Sequence, residues 1–211
     1  MHSALDSVLN HLGLRRLREF LRRVKLYIQI THAEDILRRY FVMNAFDGAM
    51  TSLGIVVGSA VANVPDIRFI VGAILGGTMA MGLSGSLGTY MTERAERLRD
   101  VKDLENAMLT NLENSLHAKA SRAVSIVAAL VDGLAPMITS AITVIPLVVC
   151  ALLGMSVLQA VSASVAASLV SMFLLGMYLG RIGKDRLLIS GLKMLAAGGG
   201  VTLLALLLRA L

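Results

Sequence analysis

Two aspartates stand inside long apolar runs of this sequence, and the chemistry has to be sought there first. Asp47 lies in the run from about Phe41 to Ala62, and Asp132 in one that begins near Ala123. A carboxylate at the centre of a membrane helix costs about 2.5–3.5 kcal/mol on insertion scales, so it faces a pathway or a partner. At steps of three and four around Asp47 the residues read Met43, Asn44, Asp47, Met50, Thr51, Gly54 and Gly58, which share one helix face. That face carries a carboxylate, a carboxamide, a hydroxyl and two thioethers. The next run repeats the theme with Gly72, Gly76, Met79, Met81, Gly82 and Ser86. In the third, Asp132, Pro136, Thr139 and Thr143 share a face, and Pro136, which has no N–H, leaves the carbonyl oxygen of Asp132 for an ion. Carboxylate and carbonyl oxygen suit Mg²⁺, Ca²⁺ or Mn²⁺, whereas thioether sulfur shifts the choice toward softer transition metals. A mixed set points to Fe²⁺ or Mn²⁺, with Asn44, Asp47, Met50, Met81 and Asp132 as the candidate path residues.

The elements that must position these residues are membrane helices. Of the 211 residues, 56% are hydrophobic, 16% charged and 4% aromatic, and the mean hydropathy is +0.74. A soluble domain carries about 25% charged residues, so composition argues against a soluble enzyme, a nucleic-acid binder and a disordered chain. The single cysteine, Cys150, excludes an internal disulfide and a multi-cysteine metal site. Crossing a bilayer takes about 20 apolar residues, and five stretches qualify, at about 41–62, 69–90, 123–150, 157–180 and 187–208. The expected fold is all-α, with five transmembrane helices in residues 36–211. Seventeen lysines and arginines fall before the first span, between the second and third, or between the fourth and fifth; only Arg68 and Arg209 fall on the other side. Positive loops stay in the cytosol, so the amino terminus is expected inside and the carboxyl terminus outside.

Two polar segments flank the spans. Residues 1–35 read as a basic amphipathic helix with Leu14, Leu17, Leu21, Val24 and Ile28 in one stripe and Arg15, Arg16, Arg18, Arg22, Arg23 and Lys25 around it. Such a helix lies on an anionic membrane surface or packs on the protein's own cytosolic face; the stripe fits both. Residues 92–122 contain no proline or glycine and read as helix continuing from the second span. There Glu93, Glu96, Asp100 and Asp103 share a face, and Glu113 and His117 stand four apart, a spacing at which two side chains hold one metal ion. Glu93, Glu96, Asp100, Glu113 and His117 are thus candidate cytosolic ion collectors, set against a solvated face with pairs such as Glu93–Arg97.

No GxxxxGK[ST] loop is present, so ATP is not the energy source within this sequence. Expelling a divalent cation against an inside-negative potential of about 100 mV costs about 4.6 kcal/mol, and an embedded aspartate that exchanges its proton for metal supplies a coupling route. All four histidines lie outside the spans, which argues against an intramembrane enzyme. A non-transporting scaffold or metal-sensing membrane protein is the alternative, and it would not need Asp47 to titrate.

The run FDGAMTSLGIVVGSA (Phe46 to Ala60) resembles the first-span signature of the vacuolar iron transporter family. FLLGMYLGRIGKDRLLISGLKMLAAGGG (Phe173 to Gly200) resembles its fourth-to-fifth-span junction, and ALVDGLAPMITSAITVIPLV its third span with a late proline, here Pro146. The resemblance covers about Glu34 to Leu208. It implies a five-span homodimer that exports Fe²⁺ or Mn²⁺ from the cytosol in exchange for protons, with no permanently bound cofactor and with lipid and metal ions, not nucleic acid, as partners. It implies a multi-pass protein of the cytoplasmic membrane in a prokaryote or of a vacuolar-type membrane in a eukaryote. The family's first-span aspartate falls on Asp47. Its second-span pattern, Ser-Met followed by Gly-Glu-Tyr, puts Thr89 at the glutamate and Gly85 at the methionine if Gly88 and Tyr90 are matched, and selects Met81 if the methionine is matched. The segment between spans two and three is short for the family, as in a prokaryotic-type member with a reduced metal-collecting region that Glu93, Glu96, Asp100 and Glu113 would supply.

Overall fold

The computed structural model describes residues 14–210; residues 1–13 of the expected amino-terminal helix, and Leu211, lie outside the described residues. Six helices follow one another: α1 (Leu14–Ile30), α2 (Glu34–Val61), α3 (Ile67–Met108), α4 (Leu116–Leu152), α5 (Val157–Ile182) and α6 (Leu187–Ala210). Among the described residues there is no strand. Helices α2 to α6 are long and apolar enough to cross a membrane, one for each expected span. Helix α4 continues through both Pro136 and Pro146. Among the described residues the chain divides into two compact units, an apolar one of residues 39–87 with 130–210 and a polar one of residues 14–38 with 88–129.

Each of the five connections contains one residue in the left-handed backbone region: His32, Asn63, Leu109, Gly154 and Lys184. Around four of them the hydrogen bond that ends the helix reaches back five residues: Ala33 N to Ile28 O at 3.0 Å, Val64 N to Ser59 O at 3.0 Å, Thr110 N to Glu105 O at 3.3 Å and Met155 N to Cys150 O at 3.0 Å. The fifth, Asp185 N to Gly180 O, measures 2.9 Å. This closure satisfies carbonyls that the helix end would otherwise leave open, and only Gly154 makes it with a glycine. Ser156 and Gln159 then start α5 with a reciprocal capping box.

The core of the apolar unit joins Val56 of α2, Ile70 and Ile74 of α3, Leu147 and Cys150 of α4, and Ala160 and Val161 of α5. A second cluster sets Ala49, Leu53 and Val57 of α2 against Met172 of α5. Polar side chains inside these helices are closed by local hydrogen bonds. Ser52 Oγ donates to Gly48 O at 2.7 Å and Thr78 Oγ1 to Ile74 O at 2.8 Å. Between α4 and α5, Thr143 Oγ1 and Ser168 Oγ lie 2.8 Å apart, and Ser164 Oγ donates to Thr143 O at 2.7 Å. Such bonds join helices where water cannot.

Glycines set how closely the helices approach, but not the ones that spacing singled out. Of Gly54, Gly58, Gly72 and Gly76, whose small-xxx-small spacing would let another helix approach closely, only Gly54 has a neighbour within 4 Å of where a Cβ would stand, Val201 Cγ1 at 3.8 Å. Instead α5 and α6 form a hairpin on Gly176, Gly180, Gly191 and Gly198. A Cβ on Gly176 would sit 2.6 Å from Ser190 O, and one on Gly191 would sit 2.7 Å from the Phe173 ring.

In the polar unit the expected continuous helix over 92–122 is interrupted. Helix α3 ends at Met108, and residues 109–115 form a turn before α4 begins. The sequence lacks glycine and proline there, yet side chains stabilise the break: Glu105 Oε1 accepts from Leu112 N at 2.8 Å, Asn111 Oδ1 from Glu113 N at 2.8 Å and Ser115 Oγ from Ala118 N at 3.1 Å. Asparagine and serine compete with the helix in this way. Along α1 the apolar stripe is only partly covered: Val24 and Ile28 are half-buried, while Phe20, Leu21 and Leu26 are exposed.

The hairpin gives a direct test. Gly176→Ala places a methyl group against backbone that has no soft side to yield, and is expected to destabilise the protein by about 1–3 kcal/mol, read as a lower midpoint in a thermal melt. Gly199→Ala, where nothing lies within 4 Å, is expected to leave the midpoint unchanged.

Candidate functional site

Three helices of the apolar unit converge on Asp132. It is 3% exposed and lies in mid-α4 between α2 and α3. Asn44 of α2 donates from Nδ2 to Asp132 Oδ1 and also to its own-helix Tyr40 O at 3.0 Å. On the other side α3 comes close: a Cβ on Gly85 would stand 2.6 Å from Asp132 Oδ2. The next residue, Gly133, meets the same helix, since a Cβ there would fall on Ser86 Oγ and 2.7 Å from Gly82 O. Gly82 faces back, with Gly133 O 2.6 Å from its own absent Cβ. One turn later Gly48 of α2 abuts Pro136 and Thr139, 2.7 Å separating its Cβ position from Thr139 Oγ1. The carboxylate is thus held in a notch whose walls are backbone, the arrangement that glycine alone permits.

This notch bears on the second-span alignment. A methionine at position 85 would displace the Asp132 side chain, so the glycine there is what the carboxylate needs. Gly82, Gly85, Ser86 and Gly133, which form this notch, are not among the path residues that the sequence nominates. The signal available was the adjacency of Gly133 to Asp132 and the glycines at three-residue spacing on α3.

Asp47 stands apart from this notch. It is exposed at the surface of the chain, on the α2 face that also carries exposed Met43 and Gly58. Among the described residues its carboxylate has neither a hydrogen bond nor an ion pair. Met50 is half-buried against the Ala49–Leu53–Val57–Met172 cluster, and Met81 is half-buried on α3. The chain itself therefore joins Asn44 to Asp132 and leaves Asp47 outside that pair.

The polar-unit candidates stand in different settings. Glu93 is 2% exposed and paired with Arg97, Oε2 to Nε at 2.9 Å. Glu96 and Asp100 are exposed. Glu113 lies in the turn, ahead of the first residue of α4, so it does not stand one helical turn before half-buried His117. Among the described residues no three His, Cys, Asp or Glu side chains are grouped to hold a metal ion.

Similarity to a known protein places the chain. It is 30% identical over 174 residues to the uncharacterized protein MJ0645 of the archaeon Methanocaldococcus jannaschii, an alignment that spans 81% of this chain and 87% of the relative. The chain belongs to the family of that archaeal protein. No protein-family model matches it. Kinship at this level extends over most of both chains, and so takes in spans as well as the polar unit; the relative's name assigns no activity.

The notch makes two distinguishable demands. Asn44→Ala removes the amide donor to a buried carboxylate and is expected to cost about 1–3 kcal/mol. Asp132→Asn keeps the shape and is expected to cost less than Asp132→Leu, which places a branched apolar side chain against Gly85. Thermal melts of the purified variants in one detergent rank the three.

Proposed function

We propose that the chain exports divalent transition-metal cations, Fe²⁺ or Mn²⁺, across the membrane, with protons returning as metal leaves. The observation that carries this reading is Asp47: a carboxylate in an apolar span, exposed on the chain's own surface and without a partner among the described residues. An ionised carboxylate facing lipid is disfavoured by several kcal/mol. A second copy of the chain laid over this face would remove it from lipid and bring two carboxylates to one path. Gly58, Gly72 and Gly76, with open space around them, supply surfaces for close approach of a second copy. The resemblance to the vacuolar iron transporters supports the same homodimer, and the basic-residue asymmetry supports a cytosolic amino terminus.

In this mechanism Asp47 releases its proton to take the metal and takes a proton to release it. Met50, next along the face, adds a soft ligand that favours Fe²⁺. Asp132, fixed by Asn44 and the α3 glycines, serves as a rigid wall to the path. The contrary reading, a non-transporting scaffold or metal sensor of the same fold, is favoured by that rigidity alone.

Flux measured in proteoliposomes separates the two. Asp47→Asn keeps the shape but can neither carry the proton nor neutralise the cation, and is expected to lower Fe²⁺ and Mn²⁺ flux by at least about tenfold with the elution profile unchanged. Wild-type flux and pH dependence in this variant would overturn the exporter reading. Met50→Leu is expected to lower Fe²⁺ flux more than Mn²⁺ flux, and acid on the receiving side to accelerate metal exit.

The homodimer has its own readout. Gly58→Leu is expected to shift a cross-linked dimer toward monomer while leaving the thermal midpoint of the protomer in place, because inside the chain nothing touches that position.

A further inference from the structure

The polar unit brings cations together around a hollow. A cavity of about 430 Å³ opens between the end of α3, the 109–115 turn and the start of α4. Its walls are two helix stripes. Ala118, Ser121 and Ser125, at steps of three and four on α4, are small and buried, so the hollow lies where α4 lacks bulk. Around it stand Arg94, Arg97 and Lys102 of α3 and Arg122 of α4, against two carboxylates, Glu105 and Glu113.

Several of these groups are already held in place. Arg94 Nη1 donates to Tyr90 Oη at 2.6 Å with its guanidinium 5.7 Å over that ring. Arg122 Nη2 reaches back nine residues to Glu113 O at 2.7 Å. Arg97 is fixed through Nε by buried Glu93. Glu105 has an oxygen engaged by Leu112 N at 2.8 Å, which takes part of the acidic lining into the turn. Among the described residues Lys102 makes no ion pair, and the Ser121 hydroxyl, which has no hydrogen-bond partner there, opens to the cavity.

We propose that this cavity binds a ligand through a phosphate group. Guanidinium groups match phosphate oxygens with paired N–H donors, and lysine adds a point charge. Fixing the arginines beforehand lowers the ordering cost of binding. The lining, four cations against two carboxylates, repels a divalent cation and attracts an oxyanion. The volume falls within the range of about 300–1,000 Å³ usual for small-molecule sites and leaves room beside a phosphate for an organic part. A soluble phosphate ester and the headgroup of an anionic phospholipid share this chemistry. The proposal stands independently of the transport reading.

Binding to the full-length protein in phosphatidylcholine nanodiscs tests it, with sodium phosphate and ATP as soluble probes by calorimetry and phosphatidic acid as the lipid probe by retention. Saturable binding of at least one probe is expected, weakened about tenfold by Lys102→Gln and by Arg122→Gln, and less by Ser121→Ala. Arg99→Gln removes the same charge from the same helix outside the cavity, where Arg99 is 3.8 Å from Asp103, and is expected to change nothing. Binding of the soluble probes assigns a soluble ligand, and retention of phosphatidic acid alone assigns a headgroup; both support the site. Lys102 is exposed and unpaired among the described residues, so its variant reads the site without disturbing the turn that Arg122 braces. Absence of saturable binding by all three probes, equal weakening by Arg99→Gln, or saturable Mn²⁺ binding abolished by Glu113→Gln would overturn the proposal.

Discussion

Hydrocarbon does not press apolar helices together, because lipid tails are as apolar as leucine; association rests on close backbone approach and on hydrogen bonds made inside the bundle. The apolar unit meets both conditions at the same places. Gly48 lets α2 reach Pro136 of α4, Gly82 and Gly133 let α3 and α4 touch through backbone, and Gly176 and Gly191 do the same for α5 and α6. Serine and threonine fill the gaps, bonding to carbonyls of their own helix or, as with Ser164 and Thr143, of the next. Every side-chain nitrogen and oxygen sealed from solvent among the described residues has a partner. The notch around Asp132 follows from this packing: the glycines that bring α3 to α4 also bring backbone against the carboxylate, and Asn44 completes the cage from α2.

The two intramembrane aspartates therefore answer the same physical problem in opposite ways. Asp132 has a donor within the chain, Asn44, and a neighbouring helix close against it. Asp47, on the uncovered face of α2, has neither. A residue that must change partners, from proton to metal and back, is better served by the second arrangement, because a carboxylate already bonded and walled in gives up stabilisation when it takes another ligand. The proposed division of labour, Asp47 moving charge and Asp132 holding shape, rests on this difference.

Much of the fold was legible because five apolar runs of spanning length leave little choice of element. Helix ends were less so: four of the five left-handed residues at the connections, His32, Asn63, Leu109 and Lys184, are not glycine, and no glycine or proline flags the break after Met108. Small-residue spacing did not tell which glycines are used inside the chain. Gly58, Gly72 and Gly76 satisfy the pattern and have nothing within 4 Å of a Cβ position, whereas Gly85, one of the two positions offered for the family's methionine, leaves no room for a Cβ beside Asp132. Spacing tells which residues share a face of a helix; it does not tell which way that face points, and that depends on the other helices. Asp132 and Asn44 lie 88 residues apart, so no local pattern could have joined them.

The polar unit shows the same limit from the other side. Had α3 run unbroken into α4, Glu113 and His117 would stand one turn apart and the acidic residues would line one rod, the geometry of a cation collector. The turn changes the sign of the site. It draws Glu105 onto Leu112 N, lifts Glu113 out of helix, and folds α4 back so that Arg122 faces the cations of α3, while Glu93 is buried on Arg97. Negative charge is taken up by the backbone and by a buried pair, and positive charge is left lining the hollow. A segment whose formal composition is close to neutral thereby presents a basic cavity, because what a ligand meets is the charge that folding leaves accessible and not the charge that the sequence contains.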